Sequence, residues 1–325
     1  MIDISQLAFR AGGLDRAAHR RKEAVELSKL PTTKVIAFWR GRPLVSGESG
    51  RTGDLALHWL APDHPLLGLA APEVLFLGLW QGHAMVAMDV SGWNPEIDAA
   101  DQGPGMAGLD QPAPRMGDLP QDARFTDLRG MLAALTPLQG EVCATARGMF
   151  EWHRSHGFCA ACGTQSDWAE GGWKRDCPAC AREHFPRTDP VAIMLVTDGN
   201  NMLLGRSPGW PDGMYSLLAG FIEPGETVAN AVAREVMEEA GVPVTDVTMI
   251  ESQPWPFPSS LMIGCRARAT ARDITLDPAE LEDALWVTRE ELLQVFSGTH
   301  PVINRPRTGA IAQVLMKNWL ADSLD

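Results

Sequence analysis

Three glutamates and an arginine lie close together in one short stretch of the chain. Residues 220–242 have the sequence GFIEPGETVANAVAREVMEEAGV, in which Glu235 precedes Glu238 and Glu239 by three and four positions. On a helix these spacings put side chains on one face, where like charges repel one another. A divalent cation such as Mg²⁺ or Mn²⁺ would remove that repulsion, because both ions prefer oxygen ligands. The pattern indicates a metal site; a solvated acidic helix face is the alternative.

The same stretch carries the signals of a helix over residues 228–240. Thr227 is suited to cap its start, and Gly241 stands where a left-handed residue ends many helices. Arg234 can orient the carboxylates, and Glu226 can reach them from the open end of the helix. The apolar residues recur at every fourth position and form one stripe: Val228, Val232, Val236 and Ala240.

Metal ions held by these groups would favour cleavage of a phosphoanhydride. A bound cation neutralises phosphate charge and lowers the pKa of a bound water. A glutamate can then accept the proton of that water. The spacing does not tell which glutamate is the general base. We therefore predict a catalytic group of four residues: Arg234, Glu235, Glu238 and Glu239.

A second motif, SQPWPFPSS, occupies residues 252–260. Its prolines restrict the backbone, and Trp255 and Phe257 offer two large aromatic faces. A stiff loop of this kind could stack a planar base. An ordinary proline-rich connection packed on the core is the alternative.

Four cysteines form two pairs, each with two intervening residues. They are separated by a Gly-Gly-Trp segment, and their spacing is close to that of four-cysteine zinc sites: Cys159, Cys162, Cys177 and Cys180. Four thiolates would close the zinc shell, so we expect a structural ion. Two disulfides are the alternative, which the apparent lack of a secretory signal and the further cysteines Cys143 and Cys265 disfavour. We expect His153 and His156 to be surface residues.

These motifs together resemble a known family. Residues 220–242 fit the pattern G-x5-E-x7-R-E-U-x-E-E-x-G-U, with U a bulky aliphatic residue, which is the signature of the Nudix hydrolases. With SQPWPFP and the four cysteines, the stretch from about residue 125 to 325 resembles the NADH pyrophosphatase subfamily. The resemblance implies hydrolysis of NADH or NAD⁺ to nicotinamide mononucleotide and AMP, removal of NAD caps from RNA 5′ ends, and a homodimer.

The resemblance also implies a set of metal ligands and substrate contacts. The metal ligands are the carbonyl of Ala219 and the side chains of Glu235, Glu238, Glu239 and Glu280. Phe185 and Phe221 match positions that sandwich a base, and Ala312 matches a backbone contact. A pocket lining is implied for Gln253, Pro254, Trp255, Pro256, Phe257, Pro258, Ser259 and Ser260, where the family usually has Gln-Ser after the last proline. Without the resemblance, we would interpret Glu280 as a surface carboxylate. Arg129 matches a substrate-contacting arginine, for which a salt bridge on a helix surface is the alternative.

Two further functions stay open beside the leading one. A Nudix hydrolase could act on other dinucleotides, such as ADP-ribose or diadenosine polyphosphates. A chain with a zinc ribbon could also be a non-catalytic adaptor that binds nucleic acid or NAD. The complete set of glutamates disfavours the adaptor, because a binding module does not need it.

Composition limits the class of protein. The 325 residues suffice for two or three domains, and 45% hydrophobic residues with a mean hydropathy of −0.10 are typical of a soluble globular protein. No apolar run is long enough for a membrane span. The net charge of −13 disfavours broad nucleic-acid binding, which depends on basic residues, and makes cations a natural bridge to an anionic dinucleotide. We expect a reducing cytosol, since neither end carries a targeting signal that we recognise.

Three domains are predicted along the chain, with an α/β (α+β) fold. Residues 1–150 form a β-rich domain with trailing helices, residues 155–186 the zinc ribbon, and residues 187–325 an α/β/α sandwich on a mixed sheet. Within them we predict an exposed loop at 91–121 and two helices over 125–156. Strands are predicted at 191–196, 202–204, 214–218 and 261–269, and a helix at the C-terminus.

Overall fold

The computed structural model describes residues 2–47, 55–94 and 119–324. The chain divides into two compact units. The C-terminal unit consists of residues 1–8, 188–255 and 260–325, and the N-terminal unit of residues 9–187 and 256–259. Most of the loop predicted at 91–121 lies outside the described residues, because 95–118 are not among them.

The N-terminal unit contains a sheet built from short, largely buried strands. Its order is β3-β2-β1-β5-β4, with β6 also paired to β2, as far as the described residues go. The first and fifth strands are parallel, and the other pairs are antiparallel. The predicted β-rich domain is thereby confirmed. The strands are β1 (Lys34–Trp39), β2 (Arg42–Ser46), β3 (Ala56–Leu57), β4 (Leu75–Trp80), β5 (His83–Asp89) and β6 (Arg124–Phe125).

The helices of this unit differ from the prediction in one respect. A short helix, α1 (Ala24–Ser28), comes first, and the long helix α2 (Pro137–Ser155) precedes the cysteines. Of the two helices predicted over 125–156, only α2 is an α-helix, and Leu128–Met131 is a short 3₁₀ turn. The reason is Pro137, which disfavours helical backbone at the residue before it, so that Thr136 instead caps a new helix.

A small three-stranded sheet carries the cysteine pairs. Its strands are β7 (Asp167–Ala169), β8 (Lys174–Asp176) and β9 (Glu183–His184), with β8 in the middle. His153, expected at the surface, is instead buried at the end of α2. Its ring stacks on Trp168 at 3.3 Å and bonds the Gly172 carbonyl and the Arg175 guanidinium, while His156 is exposed.

The C-terminal unit is built on a mixed sheet of the order β13-β14-β10-β11-β15, in which β12 also pairs with β10. Strand β10 runs parallel to β14 and antiparallel to β11 and β12. The strands are β10 (Asp189–Asp198), β11 (Asn201–Arg206), β12 (Leu218–Phe221), β13 (Val244–Trp255), β14 (Ser260–Ala269) and β15 (Asp283–Thr288).

Helices cover both faces of this sheet. Alternate residues of β10 point to opposite faces, as the period of a strand requires. Ala192 and Met194 pack with helix α3 (Val228–Ala240), whereas Ile193 and Leu195 pack with α4 (Arg289–Ser297) and α5 (Ile311–Leu320). The predicted α/β/α sandwich on a mixed sheet is confirmed, although α4 was not anticipated.

The prediction of a strand at 214–218 was wrong: the strand in this part of the chain is β12, which begins at Leu218. The backbone before it wraps around the guanidinium of Arg206, which donates hydrogen bonds to the carbonyls of Trp210, Pro211 and Met214. Of these three residues Met214 alone lies within the predicted strand, and of residues 214–217 only Ser216 bridges to a strand, at Gly205.

The loop predicted at 252–260 was too long. Residues 252–255 belong to β13, where Gln253 is paired with Met262 and Trp255 with Ser260, so the turn comprises residues 256–259. Because β13 is at the edge of the sheet within the described chain, Pro254 can lie in a strand without costing a ladder hydrogen bond.

No helix among the described residues is long and apolar enough to cross a membrane.

Candidate functional site

Helix α3 begins and ends where the sequence signals predicted. The Thr227 hydroxyl accepts a hydrogen bond from the Asn230 amide at 3.2 Å, and Gly241 has the left-handed φ of 68°. Val232, Val236 and Ala240 are fully buried against the sheet. This packing fixes the rotation of the helix and so determines which of its glutamates face inward.

Three carboxylates converge at the inner side of this helix. Oxygen atoms of Glu235, Glu239 and Glu280 all lie within 4.8 Å of one another. Glu235 and Glu239 are buried, with 8% and 7% of their surface exposed. Glu280 comes from the loop before β15, which is tied to the end of α3 where Thr275 and Asp277 donate to the carbonyls of Ala240 and Glu239. Glu238, which the spacing alone grouped with the other two, lies outside the three and is half exposed.

The three carboxylates, hereafter the acid group, fit a cation. Burial, followed by the charges of Glu235, Glu280 and Glu238, raises the pKa of Glu239 to about 8. Burial also raises the pKa of Glu235, against the effect of Arg234. The Oε2 atom of Glu239 is buried without a hydrogen-bond partner among the described residues. A buried acceptor without a partner is costly, and a divalent ion would satisfy it and offset the repulsion among the three carboxylates.

Arg234 holds the outer carboxylates in place. Its guanidinium donates to both oxygens of Glu226 at 2.7 and 2.8 Å, to Glu238 at 2.9 Å and to the carbonyl of Phe221 at 2.9 Å. It also lies 2.9 Å from Glu235. The hydrogen bond from Arg234, with one from the Glu223 amide, lowers the pKa of Glu226 to about 2. Glu226 is thus committed to the arginine, and the arginine fixes the loop before α3.

Gly220 makes room for the acid group. It lies on β12, and a Cβ atom at this position would stand 1.9–2.2 Å from the carboxylate atoms of Glu235. Any side chain here would push that carboxylate away. The glycine is therefore required by close approach and not by backbone conformation.

A cavity of about 560 Å³ borders the acid group within the C-terminal unit. This volume is typical of sites for small molecules. Its walls are mostly apolar and include five of the residues predicted for metal or substrate binding: Ala219, Glu239, Gln253, Trp255 and Ala312.

The four cysteines of the ribbon also converge. Their sulfur atoms all lie within 4.8 Å of one another, with 3.6 Å between Cys159 and Cys180 and 3.5 Å between Cys162 and Cys177. Four sulfurs around one zinc ion would be about 3.8 Å apart, given Zn–S bonds of about 2.3 Å, whereas a disulfide needs about 2.05 Å. A hydrogen bond from the Ala161 amide, and a weaker one from Cys162, lower the pKa of Cys159 to about 5. The cluster fits a zinc ion held by thiolates.

Three parts of the chain each match the model of a known domain family. The NUDIX domain model matches residues 186–305, the NADH pyrophosphatase-like rudimentary NUDIX domain matches 32–152, and the NADH pyrophosphatase zinc ribbon domain matches 154–185. The NAD-capped RNA hydrolase NudC of Stutzerimonas stutzeri is 39% identical over 210 residues, which are 64% of this chain and 72% of that protein. This chain belongs to the NADH pyrophosphatase family of Nudix hydrolases.

Other relatives are similar over a smaller share of their length. The human NAD-capped RNA hydrolase NUDT12 is 46% identical over 200 residues, which are 58% of this chain and 43% of that protein. The chain thus spans less than half of the human relative. Among solved structures, a NUDIX hydrolase from Nitrosomonas europaea is 26% identical, with a TM-score of 0.35, over 41% of this chain and 78% of that one.

The side chain of Gln253, in the SQPWPFP motif, is bound to backbone groups of the protein. It is completely buried, and its amide donates to the carbonyls of Ala8 and Gly309 at 2.9 and 2.8 Å, while its Oε1 accepts from the Ile311 amide at 2.8 Å. The amide is therefore committed to the backbone around the start of α5. Gln253 shapes the cavity wall, and its own polar atoms are occupied.

The aromatic residues of the motif belong to different units. Trp255 lines the cavity of the C-terminal unit. Phe257 lies in the turn 256–259, which belongs to the N-terminal unit, and there the guanidinium of Arg129 stands 4.2 Å from its ring centre. Among the ion pairs of the described residues, none involves Arg129, in contrast to the surface salt bridge considered as an alternative.

The remaining predicted contacts differ in exposure. Phe185, which follows β9, and Phe221, at the end of β12, are each mostly exposed, at 64% and 59%. Exposed aromatic rings of this size are suited to stack on a base. Pro256 is buried, Pro254 and Pro258 are exposed, and Ser259 and Ser260 are intermediate. Substrate roles for these residues stay predictions.

Sequence reasoning did not find Gln313, which also lines the cavity. Its side chain is 6% exposed, and its Oε1 has no hydrogen-bond partner among the described residues. Its Oε1 is therefore available to accept a hydrogen bond from a ligand, while its Nε2 donates to the Oε1 of Gln6 at 3.4 Å. Its place next to Ala312 in α5 was the only signal in the sequence.

Proposed function

We propose that this chain hydrolyses the pyrophosphate bond of NADH and NAD⁺ with the help of divalent cations. The products would be AMP and nicotinamide mononucleotide, in its reduced form from NADH. The observation that carries this proposal is the acid group, because buried carboxylates with an unpartnered oxygen border a cavity large enough for a base and ribose. The names of the relatives support the choice of substrate.

The ligands proposed for the cation are Glu235, Glu239 and Glu280, with the carbonyl of Ala219 and the side chain of Glu238 nearby. These hard oxygen donors suit Mg²⁺ or Mn²⁺. Once bound, the cation supplies charge neutralisation at the phosphates and a lowered pKa for a bound water. The thiolates of the ribbon are soft donors and suit zinc, which we assign a structural role.

The residues of the chain have separate tasks in the proposed reaction. The oxygen of one water forms a bond to one phosphorus, the bridging P–O bond breaks, and the proton passes to a glutamate carboxylate. Arg234 keeps Glu226, Glu235 and Glu238 in position, as its hydrogen bonds indicate. The apolar cavity binds the uncharged part of the substrate and excludes competing water.

NAD-capped RNA is a second proposed substrate, since it presents the same dinucleotide at the 5′ end of a longer chain. It is supported by the names of the relatives. With a net charge of −13 we expect recognition of the cap itself and not a broad basic surface for the RNA. We further propose a homodimer, and a reducing cytosol as the compartment, because the four thiolates must stay reduced to bind zinc.

The direct test is product analysis after incubation with NADH and Mn²⁺. We expect AMP and reduced nicotinamide mononucleotide in equal amounts. Glu239→Gln should lower kcat by at least about a hundredfold, the range over which a positioned acid–base or ligand group acts. Glu290→Gln is the matched control, because Glu290 is exposed on α4 and, within the described part of the chain, its side chain bonds only that of Asn200.

Three substrates separate the alternatives. The values of kcat/KM for NADH, for an NAD-capped oligonucleotide and for ADP-ribose rank the proposed substrates. A higher value for ADP-ribose would replace NADH and NAD⁺ as the proposed main substrate. Absence of AMP from every reaction, with NAD binding retained, would instead favour the non-catalytic adaptor.

A further inference from the structure

Two arginines share one phenylalanine ring in the N-terminal unit. The Cζ atoms of Arg129 and Arg147 stand 4.2 and 4.7 Å from the ring centre of Phe257. Arg129 belongs to the 3₁₀ turn at Leu128–Met131, Arg147 to helix α2, and Phe257 to the SQPWPFP motif. Three separate segments therefore bring two cations to the same aromatic side chain.

Neither guanidinium of this pair is held in an ion pair within the described residues, although the charges of Asp127 and Glu151 act on Arg147. Among the ion pairs of the described residues, none joins Arg129 or Arg147 to a carboxylate. The nearest acids have other partners: Asp127 accepts from the Arg129 backbone amide, and both oxygens of Glu151 are bound by Arg154. Burial, followed by the charge of Arg129, lowers the pKa of Arg147.

Holding two guanidinium groups together has a cost that the ring offsets only in part. A cation–π contact attracts each guanidinium to the ring, whereas desolvation of Arg147 and repulsion from Arg129 act against the pairing. Two guanidinium groups are thus brought together in a chain whose net charge is −13. An anionic ligand would offset both costs.

The donor set specifies the kind of anion. Two planar guanidinium groups offer several N–H donors in a fork that matches the oxygens of a phosphate. Phe257 adds an aromatic face beside them. We infer that Arg147, together with Arg129, binds a phosphoryl group of a nucleotide, and that Phe257 holds the two guanidinium groups in place.

This inference rests on the proposed function for its choice of a nucleotide as ligand. Its test measures binding and not turnover, so the two can fail separately. The probes are AMP, which carries a phosphate, and adenosine, which lacks one. Zinc-loaded full-length protein is titrated with each probe by calorimetry, without added Mg²⁺ or Mn²⁺.

Arg147→Met removes the charge and keeps an apolar stem against Phe257. We expect AMP to bind roughly 10–100-fold more weakly, the effect of losing a charge-assisted hydrogen bond, while adenosine binding is unchanged. Arg147→Lys should restore part of the affinity, because it keeps the charge without the fork.

Arg154→Ala is the matched control, because it lies on the same helix but is paired with Glu151. It should leave the affinity for AMP at the wild-type value. Unchanged AMP binding in Arg147→Met would overturn the inference, as would an equal loss of AMP and adenosine binding, which indicates packing alone. If the wild type does not hydrolyse NADH but AMP binding still depends on Arg147, the inference stands while the proposed function fails.

Discussion

At the scale of single residues, the environment of each glutamate assigns it a different task. Glu226 is held ionised by Arg234, which lowers its pKa to about 2. Glu239 is buried among other acids, which raises its pKa to about 8. Residues of one chemical type on one short helix and its preceding loop therefore differ in charge state. A cation can displace the proton of Glu239 but has no comparable access to Glu226.

Gly220→Ala tests the space reserved for the acid group. The new Cβ would stand 1.9–2.2 Å from the carboxylate of Glu235 and would displace it. Because the displaced atoms are the end of a flexible side chain, we expect the free energy of unfolding to fall by no more than about 1 kcal/mol. The value of kcat/KM should fall about 10–100-fold, as for other changes that misplace a metal ligand.

Gly68→Ala is the control for that prediction, since nothing lies within 4 Å of its Cβ position. The explanation would be wrong if Gly220→Ala kept wild-type activity, or if it unfolded the protein while the control did not. Urea unfolding and initial rates with NADH give the two quantities.

At the scale of elements, two ties between distant segments build the site. The loop carrying Glu280 is held to the end of α3 by backbone hydrogen bonds from Thr275 and Asp277. The start of α5 is held to strand β13 by the side chain of Gln253. The first tie completes the acid group, and the second forms one wall of the cavity.

Gln253→Ala should weaken the second tie. It would leave the Ile311 amide and the Ala8 carbonyl without their partner in a buried place, while the Gly309 carbonyl keeps the hydrogen bond from the Ala8 amide. Each unsatisfied buried group costs about 1–3 kcal/mol, so we expect a loss of about 2–4 kcal/mol after partial relaxation. Urea unfolding measures this loss, and KM should rise because the cavity wall becomes mobile.

Gln294→Ala provides the comparison, because Gln294 is exposed on α4. An equal midpoint of urea unfolding for Gln253→Ala and Gln294→Ala would show that the tie does not stabilise the fold.

At the scale of the whole molecule, the chain offers two donor sets of opposite character. The thiolates of the ribbon suit zinc, and the carboxylates of the acid group suit a hard cation. The two sets lie in different compact units. We therefore expect the ribbon to bind zinc whether or not the acid group holds a cation.

Metal analysis of the purified protein tests this separation. We expect one zinc ion per chain that persists in excess Mn²⁺. Cys177→Ser should lower the zinc content to near zero, because a structural site depends on all four ligands. Cys265→Ala should retain zinc, since Cys265 is buried in the other unit and outside the cluster. Zinc retained by Cys177→Ser, or lost from Cys265→Ala, would contradict the assignment.

Local sequence determined the features that depend on neighbours along the chain. Thr227, the apolar stripe and Gly241 gave both ends of α3, because caps and helical periodicity are local effects. The paired cysteines gave the zinc cluster for the same reason. The apolar run at 191–196 predicted the strand that became β10. These features need no knowledge of distant contacts.

The tertiary structure decided which of these groups meet. The spacing on α3 grouped Glu238 with Glu235 and Glu239, but packing turns Glu238 toward solvent and brings Glu280 into its place. Only the resemblance to relatives had suggested Glu280, since some forty residues separate it from the helix. Likewise, Arg206 binds carbonyls of the loop before β12, including that of Met214 at the start of the strand predicted at 214–218, and Gln253 turns inward to bind backbone. Side chains that satisfy distant backbone groups leave no periodic signal, so these arrangements follow from the folded chain alone.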